Sequence, residues 1–173
     1  VGSAEYMTAG RLESERLVLE PLRPEHAEEL SPVLNDFALH EFTGGKPVST
    51  DELRVRFERQ AVGHSPDGRE GWLNWTVRMR PSGQAVGALQ ATLSVRERQT
   101  VAVLAWVIGV SYQRQGFATE AAALVVSWLR SCGVSRMSAR IHPGHHASER
   151  VAHAIGLRAT DVVEDGEVRW ESL

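Results

Sequence analysis

Cysteine occurs once among the 173 residues, at Cys132, so no intrachain disulfide can form and a reducing compartment is the fitting one. No apolar run approaches the roughly 18–20 residues of a membrane-spanning helix. Neither sign of charge prevails: 19 Lys and Arg stand against 22 Asp and Glu, a net charge of −3, which excludes a nucleic-acid binder working by bulk charge. Val1-Gly2-Ser3 opens without the basic-then-apolar order of a secretory signal, and a cytoplasmic location is expected. Two phosphate-loop signatures are also missing. There is no G-x-x-x-x-G-K-[ST] anywhere, and no G-x-G-x-x-G after the first expected strand. Internal repeats, low-complexity tracts and linkers are absent too.

What is present reads as one folded domain. Apolar residues make up 42% and charged residues 24%, enough to build a core at this length. The domain is expected over residues 11–173, with residues 1–10 set apart as an N-terminal extension or cloning remnant. Arg16 to Pro21 reads as a first strand, and Pro24 opens a helix through Leu34. Ser49-Thr50-Asp51-Glu52 has the form of a helix cap, followed by Leu53, Phe57 and Ala61 at four-residue spacing. Asn35 to Pro47, with the flexible pair Gly44-Gly45, resists assignment.

A three-stranded meander follows: Trp72 to Arg80, Ala85 to Val95 and Thr100 to Val110. The last is apolar at nearly every position from Val101 to Ile108, as in a central strand with both faces covered. Ala121, Leu124, Val125, Trp128, Leu129 and Cys132 then form one helical stripe, ended by Gly133. On that stripe Cys132 is expected to be a buried core thiol. Ser135 to Ile141 is a strand, Ser148 begins a short helix closed by Gly156, and a hairpin around Asp165-Gly166 ends the chain.

Between the apolar strand and the alanine-rich helix lies Gln113-Arg114-Gln115-Gly116-Phe117-Ala118. A glycine-bearing turn from strand to helix gathers backbone N–H groups at the positive end of a helix dipole, which suits a phosphate or pyrophosphate. Alone, this turn fits a plain tight connection equally well.

The order of elements and two motifs decide between them. Gln113 to Ala118 matches [QR]-x-x-G-x-[GA] and continues as Thr119-Glu120-Ala121. Ile141-His142-Pro143 through Ala147-Ser148, with Arg150-Val151 and Ile155-Gly156-Leu157, forms a second block. With these, the chain resembles the GNAT acyltransferases, in their RimJ/RimL-like branch, from Arg16 to the C-terminus and most densely over Leu104 to Leu157.

The resemblance implies an α/β (α+β) fold: a mixed, mostly antiparallel sheet of about seven strands with a splayed fourth and fifth strand, flanked by about four helices. It implies acetyl-CoA as cosubstrate, with no metal. Backbone N–H groups from Arg114, Gln115, Gly116, Phe117, Ala118 and Thr119 would wrap the pyrophosphate, with Gln113 opening the loop. Main-chain groups of Trp106, Val107 and Ile108 would pair with pantetheine, their side chains being core. An acetyl group would pass to a primary amine, a protein N-terminus or a small molecule, by direct attack through a tetrahedral intermediate.

In that scheme the Ile108 N–H would hold the oxyanion, and Ser148, also the natural cap of its helix, would protonate the leaving thiolate. Many members carry a tyrosine where this chain has Ala152, and usually an asparagine where it has His145, which would meet the cofactor arm. Glu41 and His40 are the candidate general bases, with a water chain toward the strand ends as the alternative. Arg114 and Arg150 are candidates to meet phosphates. His142, His145 and His146 cluster, but without the helical spacing of a metal site. No nucleic acid or membrane is expected as partner, and a homodimer through an edge strand or the hairpin is compatible. The rival reading is a non-catalytic acyl-CoA-binding module of the same fold.

Overall fold

An apolar strand needs neighbours on both edges, and the run after Thr100 has them. In the computed structural model, which describes residues 6–43 and 45–173, this strand lies inside one eight-stranded sheet. The strands in chain order are β1 (Leu12–Glu13), β2 (Leu17–Pro21), β3 (Glu70–Met79), β4 (Ala85–Arg96), β5 (Gln99–Ile108), β6 (Arg136–Ile141), β7 (Leu157–Glu164) and β8 (Glu167–Ser172). Across the sheet their order is β1-β2-β3-β4-β5-β6-β8-β7, and β5 with β6 is the parallel pair in an otherwise antiparallel ladder. The eighth strand is the two-residue β1, too short to leave a periodic signature, which pairs with Val18 and Leu19.

Turn chemistry sets the register. Glu97 and Arg98 both adopt positive φ between β4 and β5, as do Asp165 and Gly166 between β7 and β8. Those are the two-residue hairpins whose twist matches right-handed strands.

Helices cover both faces. The helices are α1 (Ala27–Leu34), α2 (His40–Thr43), α3 (Thr50–Ala61), α4 (Phe117–Ser131) and α5 (His146–Ala154). The first of them is preceded by a 3-10 turn at Pro24–His26. The single turn α2 falls within the stretch the sequence left unassigned. Gly44 of the expected flexible pair, and Val1 to Glu5, lie outside the described residues. Helix α3 starts as its capping box requires, with Ser49 Oγ accepting from Glu52 N–H and the Glu52 carboxylate accepting from Ser49 N–H.

Helix α4 lays Phe117, Ala121, Ala122, Val125, Val126 and Leu129 on the sheet. Burying one leucine there contributes roughly 1.5–3 kcal/mol. It ends in a Schellman motif, with Val134 N–H reaching Leu129 C=O and Gly133 N–H reaching Arg130 C=O. Cys132 is the C-cap of that motif and is exposed, not the buried thiol of the sequence reading. The buried stripe ends at Leu129 because the chain leaves the helix at the cap.

Tyr6, Met7 and Ala9 pack against the core: Tyr6 lies over Gly71, and the Trp75 indole N–H donates to Gly10 C=O at 2.7 Å. One further expectation changes. Strand β5 is covered on one face only. Ala102, Leu104 and Ile108 are buried against α4, whereas Val101, Val103 and Val107 are half-buried and Ala105 is exposed. The second apolar face is the floor of a cleft.

Beneath α1, His26 is almost fully buried, with Nδ1 2.7 Å from Thr76 Oγ1. Burial holds its pKa below 6.5; the Glu20 carboxylate pulls the other way, and Arg78 and Arg23 add to the depression. Such a group is neutral in the fold but takes up a proton in the unfolded chain as pH drops past about 6.5, so stability falls with acidification. Chemical denaturation of wild type and His26→Gln at pH 7 and pH 5.5 should show the wild type losing more stability than the variant between the two.

Candidate active site

The alternation of an antiparallel ladder fixes where each β5 main-chain group points. Gly109 N–H donates to Val86 C=O at 2.8 Å, so Gly109 and, two residues back, Val107 face β4. Trp106 and Ile108 therefore turn their N–H and C=O groups the other way, toward β6. That neighbour is missing: pairing with β6 runs from Val101↔Arg136 to Leu104↔Ala139 and stops. Beyond it β6 continues to Ile141 beside β8. The two parallel strands part, as the resemblance implies.

Two side groups shape this open end. The Gln113 amide donates to Ile108 C=O at 2.9 Å, bracing the loop against the strand and leaving the Ile108 N–H and both Trp106 groups without a strand partner. On the β4 side a Cβ at Gly87 would sit 2.1 Å from Val107 C=O, so only glycine lets β4 approach here.

The chain then turns through Val110–Tyr112 and Gln113 into α4. Arg114 and Gly116 adopt φ of 61° and 80°, left-handed values that tighten the loop. The Glu120 N–H to Gly116 C=O bond belongs to the first turn of α4, so the N–H groups of Phe117, Ala118 and Thr119 have no acceptor in the helix. Gln113 to Gly116 are exposed.

A strap that sequence reasoning missed holds the loop from below. Arg16, at the entry to β2, donates from Nη1 to Gln115 C=O at 2.8 Å and from Nε to Glu120 Oε2 at 2.7 Å, and lies 4.8 Å over the Phe117 ring. The Ser14 hydroxyl and Arg16 N–H complete the shell around Glu120. Burial acts to raise the Glu120 pKa, but these hydrogen bonds and the Arg16 charge outweigh it and hold the carboxyl below its usual range. The only trace in the sequence is Glu120 in the first helical turn, a placement the helix dipole already explains.

Across the parting, α5 begins at His146 with His145 as its N-cap, so Ser148 sits inside the first turn and is not the cap. Its hydroxyl lies 3.5 Å from His145 Nε2. The His145 ring stacks on Phe42 of α2, centroids 4.6 Å apart and planes 10° from parallel. Burial lowers the His145 pKa; Glu149 and Glu41 pull upward and His142 downward. His146 instead pairs with Glu149 at 2.7 Å. Glu41 is exposed on α2, and Arg114 and Arg150 are exposed at the loop and on α5. Ala152 is fully buried in the core. Among the described residues no three His, Cys, Asp or Glu side chains are grouped to hold a metal ion.

Between α1–α3 and the sheet opens a cleft of about 280 Å³, lined by Ala105, Trp106 and Val107 at the parting end and by Leu53, Phe57 and Trp75 deeper in. An open parallel edge, helix N–H groups with no acceptor inside the helix and a cleft on the opposite face thus meet at one end of the sheet. A family model described as the acetyltransferase (GNAT) domain matches residues 16–158. The chain belongs to that family and is an N-acetyltransferase domain with acetyl-CoA as donor.

Solved structures share the fold. An acetyltransferase (GNAT family) from Bacillus anthracis is 16% identical with a TM-score of 0.74, the match covering 94% of this chain and 96% of that one. RimL, the ribosomal L7/L12 alpha-N-protein acetyltransferase in complex with coenzyme A, is 16% identical with a TM-score of 0.77, covering 95% and 98%. The microcin C7 self-immunity acetyltransferase MccE, in complex with acetyl-CoA and AMP, is 12% identical with a TM-score of 0.76, covering 92% and 93%. No curated protein matches the chain.

Removing the strap tests its hold on the loop. Arg16→Ala should cost about 1 kcal/mol, as befits a half-exposed ion pair with a bidentate component. Amide hydrogen exchange should speed up at Glu120 and Ala121, the first hydrogen-bonded amides of α4, while the amides of β3 and β4 stay protected.

Proposed function

We propose that this domain moves the acetyl group of acetyl-CoA onto a primary amine by direct attack, with no covalent enzyme intermediate. The observation that carries the reading is the parting of β5 from β6 after Leu104↔Ala139, beside the unsatisfied N–H groups of α4. The loop from Arg114 to Thr119 takes the pyrophosphate through its backbone, with Gly116 allowing the close approach. Trp106 offers N–H and C=O to the pantetheine amides, while Val107, whose main chain belongs to β4, contributes packing alone. Acetyl-CoA supplies an activated thioester.

The Ile108 N–H, lacking a strand partner, is aimed at the carbonyl oxygen that gains charge as the amine attacks. Glu41, near enough to His145 to act on its titration, takes the proton that the amine must lose. Ser148, partly buried beside His145, gives a proton to the departing thiolate. His145 stays neutral at pH 7 through burial and stacks on Phe42, so it braces Ser148 without adding charge beside the thiolate. Cys132, exposed at the far end of α4, takes no part.

Thiol release from acetyl-CoA over a panel of amines, peptides beginning with Ser or Ala among them, tests the whole reading. Tight coenzyme binding with no turnover on any amine would leave a non-catalytic acyl-CoA module. Gly116→Ala places a Cβ at positive φ and 3.3 Å from Arg16 Nη2. That should cost about 1–2 kcal/mol of stability and weaken coenzyme A at least tenfold by calorimetry; unchanged affinity would refute the loop's role. Ser148→Ala should slow turnover by about a hundredfold with normal coenzyme affinity. Its stability should stay within about 0.5 kcal/mol of wild type, because Ser148 is not the helix cap.

A further inference from the structure

The cleft does not end under α3. It continues into a second compartment of about 300 Å³, sharing Arg56, Gln60, Asn74 and Gln90 with the first and reaching Arg59, Trp72 and Thr92. The register explains the continuous floor: Asn74 pairs with Gln90 and Gln90 with Ala105, while Trp72 pairs with Thr92 and Thr92 with Val103. Side chains two apart share a face, so these rows form one surface from β5 to β3.

Its charge is of one sign. Lys46, Arg56 and Arg59 line it, and no carboxylate lines either compartment. Among the described residues none of the three cations forms an ion pair, whereas Arg11, Arg16, Arg54, Arg78 and Arg169 are all paired. Of the carboxylates around the groove, Glu52 is tied into the α3 capping box, near enough to feel the charges of Lys46 and Arg56 without forming an ion pair with either, and Glu70 accepts from the Trp72 indole N–H. Lys46 is also the only lysine of the chain, in a protein of net charge −3. Between the cations, the amides of Gln60, Asn74 and Gln90 offer donors and acceptors along the middle of the groove.

Resting on the acetyl-transfer reading for what happens at the parting end, we propose that the groove binds the acceptor as an extended acidic peptide, its terminal amine at Trp106 and its acidic side chains against Lys46, Arg56 and Arg59. Length supports an extended chain. From β5 to β3 is two strand spacings, and Ala105 to Val103 adds two residues along the strand, together about 10–15 Å. That is the reach of three to four extended residues. A polyamine or aminoglycoside meets three like charges and no carboxylate here, and a free amino acid leaves the second compartment unfilled.

The test uses peptides of one length that begin with Ser and carry at positions two to five acidic, neutral amide or basic side chains, with free aspartate and glutamate alongside. Binding is read by fluorescence anisotropy of C-terminally labelled peptides, with and without coenzyme A, and turnover by thiol release. The acidic peptide is expected to exceed the neutral one at least tenfold in affinity and in kcat/KM, with the difference in KM. Arg56 and Arg59 are exposed, so the double variant Arg56→Glu/Arg59→Glu should fold as wild type; it is expected to invert the order and favour the basic peptide. Equal binding of acidic and neutral peptides, an order unchanged by charge reversal, or free aspartate serving as well as the peptide would each overturn the proposal. Acetyl-CoA affinity of the same proteins is read separately. Its loss in the wild type would remove the acetyl-transfer reading, while charge-selected peptide binding would still decide this one.

Discussion

Everything that gives this domain a chemistry follows from a parallel pair of strands that separates partway along. Strand β5 is bound on one edge to β4 over its whole length, but to β6 only as far as Leu104↔Ala139. A strand edge with unpaired groups inside a sheet would ordinarily be a liability. Here it is confined to Trp106 and Ile108, bounded by the Gln113 brace on one side and the close contact of Gly87 on the other. The same parting brings the α4 N-terminus and the first turn of α5 to the two sides of one gap.

The second face of β5 follows the same economy. Its residues are apolar throughout, yet only those turned toward α4 are sealed from water. The others form a floor that α1 and α3 leave partly uncovered, so one strand supplies core on one face, a cleft floor on the other, and free main-chain groups at its edge. The proposed donor side is backbone, which carries no formal charge. The proposed acceptor side is lined by side chains, and there the cations gather.

Much of this was legible in the sequence because the features involved are local. The capping box at Ser49 and Glu52, the hairpin dipeptides and the loop from Gln113 to Ala118 each fit within a few residues and a few dihedral angles. Where the reading failed, the deciding contact was elsewhere. Cys132 fits the helical stripe by spacing, but the Schellman cap takes it out of the helix. Ser148 looks like a cap, but His145 already holds that place. Strand β1 is too short for periodicity. The cleft is the clearest case: Lys46, Arg56 and Arg59 look like ordinary solvated charges until β3, β4 and β5 bring a floor beneath them.

The strap from Arg16 to Glu120 has a meaning in time as well as in space. Its two ends are 104 residues apart, and contacts of such separation form only after the intervening loop has closed at an entropic cost. The meander β3 to β5 has its own short hairpins and can assemble early. The turn after it reaches its final shape only when the head of the chain comes back to meet it. During synthesis, therefore, the whole meander has been made before Gln115 and Glu120, the residues that the strap joins to Arg16, are added.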